Sequence, residues 1–136
     1  MTDPDLIAKK LALIETCVQQ LRSLARPEAL RSDIREQRFV EHTLQIALQT
    51  TLDVASHIVS DERLGEPETN RELFDLLVKG GRLPTDLGET LRAMAGFRNV
   101  LVHGYQDVDL GVVEDVHHNH LDDLLAFVAA IRPDLE

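Results

Sequence analysis

PDLIAKKLALIETCVQQLRSLAR, residues 4–26, carries the clearest helical signal of the chain, because its apolar residues recur alternately every four and three positions. These residues are Ile7, Leu11, Ile14, Val18, Leu21 and Ala25. That spacing places all of them on one face of a helix, which can be buried against other helices. Asp3 is a suitable cap and Pro4 a favourable first helical residue, and Pro27 follows closely. We therefore predict a first helix from Asp3 or Pro4 to about Arg26.

The same periodicity predicts four more helices along the chain. The second, residues 31–60, is long enough to kink or break near Arg38. A short third helix is capped by Thr69 or Asn70, a fourth opens near Pro84, and the last runs from about residue 113 to residue 131. Aromatic residues make up only 4% of the chain and Trp is absent, so the core must consist mainly of Leu, Ile, Val and Ala. We predict an all-α protein, an up-and-down helical bundle of about five helices in one domain, residues 1–136.

Composition limits the possible functions and environment. The formal net charge of -10, from 14 basic and 24 acidic residues, argues against broad, non-specific binding to nucleic acid, although it allows a local basic cleft. Cys17 is the single cysteine and lies among apolar helix positions, which predicts a small buried side chain and no internal disulfide. The acidic N-terminus is followed by no long apolar run, so we expect no signal peptide, no membrane span and a cytoplasmic protein.

The segment RNVLVHGY, residues 98–105, brings a cation, an imidazole and a phenol together. The apolar stripe Leu87, Leu91, Met94 leads at helical spacing to Arg98, so a charge occupies a position where a core residue is due. A buried guanidinium needs a partner or an anionic ligand. His103 lies about 140° from Arg98 around a regular helix, so the two side chains can converge only if the helix ends or distorts near Val102, which Gly104 would permit.

An arginine that binds a phosphate and a histidine that transfers protons suit metal-independent cleavage of RNA, in which the neighbouring 2′-hydroxyl attacks phosphorus. The residues alone leave a structural alternative open. In that alternative His103 interacts with the last carbonyls of the helix, Gly104 caps it, and Arg98 forms an ordinary salt bridge.

Two further polar groups admit more than one interpretation. Gln45, Gln49, Asp53 and His57 recur every four residues on the second helix, which indicates either a solvated face or a polar wall opposite Arg98. In the second case Asp53 could pair with the guanidinium or orient the imidazole. The second group is His117, His118 and His120, which could bind a metal ion. A solvent-facing helix surface or a dimer contact explains them better, because no cysteine pair or His-Glu-x-x-His pattern accompanies them. We therefore predict no metal and no cofactor.

The spacing Arg98, four residues, His103, one residue, Tyr105 resembles the Arg-x-x-x-x-His-x-Tyr motif of the HEPN superfamily, and the string Gly-Phe-Arg-Asn-Val-Leu-Val-His-Gly-Tyr is similar to its HepT toxin branch. The likeness covers nearly the whole chain. It includes a pattern on the second helix and residues after the motif: Arg38, Glu41, Leu44, Gln45, Ala47, Asp53, His57, Asp107, Val108 and Asp109. One departure is His42, where arginine would be expected, and it puts in doubt only a supporting polar contact.

This resemblance implies a homodimer whose motif helices line a shared cleft, and a metal-independent ribonuclease toxin with an RNA substrate, for which tRNA and mRNA are both open. Arg98 and His103 would be catalytic, with Asn99 and Asp53 in support. Tyr105 would be the site at which a MntA-type nucleotidyltransferase antitoxin adds AMP and so blocks the cleft by charge and bulk. The alternatives are a non-catalytic helical interaction module and a substrate-recognition subunit that partners a nucleotidyltransferase.

Overall fold

The computed structural model describes residues 3–103 and 108–135, without the side chains of residues 102, 103, 134 and 135. Six α-helices and no strand occur in this part of the chain, which confirms the all-α class. They are α1 (Pro4–Ser23), α2 (Ile34–Asp61), α3 (Asn70–Lys79), α4 (Thr85–His103), α5 (Leu110–Asn119) and α6 (Leu121–Ile131). Short 3-10 turns at Pro27–Ala29 and Arg132–Leu135 follow α1 and α6.

The first four helices pack consecutively against each other, as an up-and-down bundle requires. α1 lies along α2, α3 lies along α4, and α2 contacts both α3 and α4. α6 closes the core against α1 and α4, and within this core the rings of Phe74 and Phe127 meet edge to face at 6.2 Å. Each large aliphatic side chain buried in this way stabilises the fold by about 1.5–3 kcal/mol.

The first helix confirms the predicted stripe and starts at the predicted place. The Asp3 carboxylate accepts hydrogen bonds from the N–H groups of Asp5 and Leu6, and Ile7 to Leu21 of the stripe are buried. Cys17 is also buried, and burial raises the pKa of its thiol, so little reactive thiolate forms. α1 ends at Ser23, earlier than predicted, because the backbone before Pro27 must leave the helical region.

The second helix is continuous over 28 residues, so the suggested break near Arg38 is wrong. It begins at Ile34, where the Asp33 carboxylate accepts from the N–H of Arg35 at 2.9 Å. Buried hydroxyls along it donate to carbonyls four residues back, which satisfies them without interrupting the helix.

The last predicted helix is two helices, which is why six are observed where about five were expected. The chain bends at His120, whose φ of -122° and ψ of 3° lie between α5 and α6. Its imidazole lies between two carboxylates, with Nδ1 2.9 Å from Asp123 and Nε2 3.2 Å from Asp115. These contacts from both helices stabilise a bend at which the sequence contains neither glycine nor proline. Among the described residues, no helix combines the length and the apolar character needed to cross a membrane.

Candidate active site

The predicted motif begins in the last turns of α4, which remains helical through His103. α4 thus extends one residue past Val102, near which an end or a distortion was predicted. The predicted turn at Gly104 and the predicted modification site Tyr105 lie outside the described residues, and the side chain of His103 is not described either. The structure thus bears directly on Arg98 and Asn99.

Arg98 is half-buried beside the core residues Ala95 and Leu101. Its Nη1 donates a hydrogen bond to Oδ1 of Asn99 at 3.1 Å. Its Nε is buried and has no hydrogen-bond partner in the described part of the chain, where no carboxylate pairs with the guanidinium. An unsatisfied buried donor costs about 1–3 kcal/mol, more if charged. Among the described residues, the only hydrogen-bond partner of this guanidinium is therefore its neighbour Asn99.

Asn99 faces a polar groove between α2, α4 and the start of α3. The groove has a volume of about 420 Å³ and is lined by Ser56, Pro67, Glu68, Thr69, Asn70, Leu73 and Asn99. It continues into a second depression of about 470 Å³ that shares Ser56, Pro67 and Leu73 and reaches Arg63. Sequence reasoning missed Ser56. The available signal was its position three residues after Asp53, on nearly the same face of α2.

Asp53 makes its described contacts away from the motif. Nε2 of Gln49 donates to one carboxylate oxygen at 2.9 Å, and the Lys10 ammonium lies 3.5 Å from the other. No described contact joins Asp53 to Arg98. Asp53 and Ser56 differ by about 60° around α2, and Ser56 is the one that lines the groove beside Asn99. The polar row of α2 is therefore partly satisfied by α1 and within α2, and none of its described contacts is with Arg98. A role for Asp53 in orienting the imidazole of His103 stays a prediction.

Two of the three histidines near the end of α5, His117 and His120, have partners within the chain. Nε2 of His117 lies 2.7 Å from the carbonyl oxygen of Leu21, and His120 lies between its two aspartates. The hydrogen bond from the Asn119 amide lowers the pKa of Asp115 below its usual range, and the nearby His120 lowers it further to a smaller extent. Across residues 3–103 and 108–135, as far as their side chains are described, no group of three or more His, Cys, Asp or Glu residues could hold a metal ion.

Comparisons with known proteins agree with this helical architecture. The chain is 31% identical over 129 residues to the mRNA nuclease HepT of Shewanella oneidensis, covering 94% of this chain and 97% of that protein. It is 31% identical over 109 residues to the tRNA nuclease HepT of Aphanizomenon flos-aquae, covering 79% and 74% of the two chains.

A solved structure gives the same result in three dimensions. The tri-AMPylated HEPN toxin of Shewanella oneidensis, in complex with MNT antitoxin, superposes with a TM-score of 0.88 at 30% identity, covering 98% of this chain and 99% of that one. The family described as ribonuclease HepT-like matches residues 14–131 of the 136. The chain belongs to the ribonuclease HepT-like family.

Proposed function

We propose that this protein is the toxin of a HepT/MntA-type toxin-antitoxin system, a cytoplasmic endoribonuclease that needs no metal ion and is silenced by AMP addition to Tyr105. The observation that carries the proposal is the half-buried guanidinium of Arg98, whose Nε lacks a partner among the described residues of a HepT-like chain. Family relatives are named for mRNA and for tRNA, so RNA is the proposed substrate class.

The chemistry follows from the residue types. The substrate's 2′-oxygen bonds to phosphorus and loses its proton to a base, while the bond from phosphorus to the 5′-oxygen breaks and that oxygen takes up a proton. His103 transfers protons in this reaction, because an imidazole exchanges them near neutral pH. Arg98 stabilises the charge that develops on the phosphate oxygens. Asn99 is a supporting residue, since its amide oxygen orients the guanidinium at 3.1 Å.

A homodimer would complete the site by bringing two copies of α4 together. Val100, next to Arg98 and Asn99, is an apolar residue with 44% of its surface exposed, which such an interface would cover. Two copies of Arg98 would create a local positive field on a chain whose net charge is -10. In this proposal Asp53 supports the site indirectly: it lies about one turn before Ser56 on α2 and binds Gln49 and Lys10.

The proposed antitoxin is a MntA-type nucleotidyltransferase. A HEPN toxin relative is AMPylated and in complex with MNT antitoxin. On this chain Tyr105 follows His103 by two residues, so AMP there would add negative charge and bulk close to the catalytic pair. Like-charge repulsion would then disfavour binding of an RNA phosphate.

Cleavage of RNA in EDTA tests the proposed activity. We expect the purified protein to cleave, and His103→Ala to lower the rate by about 10²- to 10⁴-fold. His118→Ala, which changes an exposed histidine on α5, is the matched control and should cleave like the wild type. Equal cleavage by His103→Ala and wild type, or cleavage only with added metal, would contradict the mechanism.

Intact mass spectrometry tests the proposed regulation. Incubation with the cognate antitoxin and ATP should add one or more AMP masses and abolish RNA cleavage. Tyr105→Phe should gain no AMP, because it lacks the hydroxyl that would be modified. If Tyr105→Phe is still modified, the assignment of Tyr105 is wrong.

A further inference from the structure

We propose that Arg71, the second residue of α3, binds an RNA phosphate beside the one that is cleaved, and that Gly96 of α4 is the seat for its guanidinium. This inference rests on the proposed ribonuclease function. It adds a substrate-binding residue from a different helix to the motif on α4.

Arg71 lies directly on the backbone of α4. A Cβ atom at Gly96 would be 2.5 Å from Nη2 of Arg71, 3.1 Å from its Cζ and 3.2 Å from its Nε. Any residue other than glycine would therefore displace the guanidinium. The contact involves the charged end of an exposed side chain, so its position, and not core packing, depends on this glycine.

A second glycine of α4 shows what a packing requirement looks like. At Gly88 a Cβ would be 2.2 Å from Cγ2 of Val78, an apolar side chain of α3. Gly88 is needed because the two helices approach closely there. Glycine inside a helix is less stable than alanine. At Gly96 the nearest atoms belong to a charged side chain and not to an apolar one. The glycine there allows Arg71 to reach the surface of α4.

The seat lies on the face of α4 that carries the proposed site. Asn99 follows Gly96 by three residues and His103 follows it by seven, so all three positions fall within about 60° of each other around the helix. Asn99 is about 4.5 Å further along the helix axis at 1.5 Å per residue. Arg98 lies about 160° from Gly96 around the helix, but its guanidinium is directed towards Asn99, to which it donates a hydrogen bond.

The charge of Arg71 is available to a ligand. Arg71 forms no ion pair or hydrogen bond with another described residue. Asp75, one turn further along α3, is paired with Arg92, and Glu72 accepts from the backbone N–H groups of Glu68 and Thr69. Glu68 lines the neighbouring groove without bonding to Arg71. A cation with no described partner, on the face of α4 that carries Asn99, suits the phosphate backbone of RNA.

RNA binding in a His103→Ala background tests the role of Arg71 without cleavage. The probe is a fluorescent single-stranded RNA oligonucleotide, titrated at several salt concentrations. We expect Arg71→Ala to weaken binding about ten-fold and to reduce the slope of log K against log salt by about 0.7, the value for one lost phosphate contact with a single strand. Arg35→Ala, which removes an exposed arginine near the start of α2, is the matched control and should change neither quantity.

Gly96→Ala tests the seat itself. We expect this variant to melt at the same or a higher temperature, because alanine favours the helix, yet to bind RNA about as weakly as Arg71→Ala. Adding Arg71→Ala to Gly96→Ala should cause little further loss, since both changes act on one contact.

The outcomes separate this inference from the proposed function. The comparison of wild type with His103→Ala in the cleavage assay tests whether the protein is a ribonuclease that uses His103. If that difference appears but Arg71→Ala binds and cleaves RNA like the wild type, the role of Arg71 is wrong and the function stands. Loss of antitoxin binding by Arg71→Ala with RNA binding intact would assign the residue to a protein interface and would also overturn the inference.

Discussion

The two halves of α4 contain the same residue types in opposite situations. In the first half, Gly88 is covered by Val78 of α3, and the Arg92 guanidinium is paired with Asp75, which is also on α3. In the second half, Gly96 is covered by a charged side chain, and Arg98 has a buried Nε with no partner in the described part of the chain.

This difference separates residues that stabilise the bundle from residues that are available for chemistry. A glycine and an arginine whose requirements are met by neighbouring side chains belong to the packing of α3 on α4. Arg71, which lies against Gly96, has no hydrogen-bond or ion-pair partner among the described residues, and Arg98 has a donor without one, so both side chains suit the binding of an anion. This contrast favours the second half of the helix as the location of the proposed site.

The largest effect should come from removing each arginine in turn. Arg98→Ala should lower RNA cleavage by about 10²- to 10³-fold, the cost of one donor to a developing negative charge. Arg92→Ala removes only a partly exposed ion pair and should leave cleavage within about two-fold, with at most about 1 kcal/mol lost in stability. Initial rates in EDTA measure both, and equal losses would remove the distinction between the two halves.

The two glycines should respond to alanine with opposite signs. Gly88→Ala forces Val78 aside and should lower the free energy of unfolding by about 1–3 kcal/mol, as overpacking does. Gly96→Ala should raise it by up to about 1 kcal/mol through helix propensity. Urea denaturation of both variants makes the comparison. Destabilisation by Gly96→Ala as large as that of Gly88→Ala would mean that both glycines serve packing.

Asp53→Asn extends the comparison to α2, where a carboxylate has partners within the chain. It removes the charge that pairs with Lys10 but leaves a side chain able to bond Gln49. We expect stability to fall by at most about 1 kcal/mol, because the pair is partly exposed, and cleavage to fall by no more than about ten-fold. A loss as large as that of Arg98→Ala would place Asp53 in the cleft itself.

The smallest effect should come from another satisfied arginine, Arg132, which pairs with Glu15 and ties the end of the chain to α1. The hydrogen bond from Arg132 holds the pKa of Glu15 below its ordinary value of 4.5. A lowered carboxyl pKa stabilises the fold above the unfolded pKa, and this contribution is lost as pH falls through the folded pKa. Glu15→Gln should therefore cost less than about 1 kcal/mol at pH 7, and less still at pH 3, where more of the carboxyl is protonated.

Denaturation of Glu15→Gln and wild type at both pH values checks this linkage. The difference between the two proteins should be larger at pH 7 than at pH 3. A difference that is equal or larger at pH 3 would show that Glu15 acts through contacts other than its ion pair with Arg132.

Much of the helical framework could be predicted because its signals are local. The stripe from Ile7 to Leu21 and the capping residues Asp3 and Thr69 act within a few residues of their own position, and the structure contains all of them as predicted. The bend at His120 escaped prediction because it depends on carboxylates on both sides, which helical periodicity does not register.

The site divides in the same way. By itself the sequence determined that Arg98 interrupts an apolar stripe and that a HepT-like motif follows it, because spacing along one helix fixes which residues share its faces. Only the tertiary structure decided that Asp53 meets Lys10, that Ser56 lines the groove beside Asn99, and that Arg71 rests on Gly96. The physical reason is that periodicity sets the phase of each helix, whereas the packing of different helices selects the neighbours that meet each face.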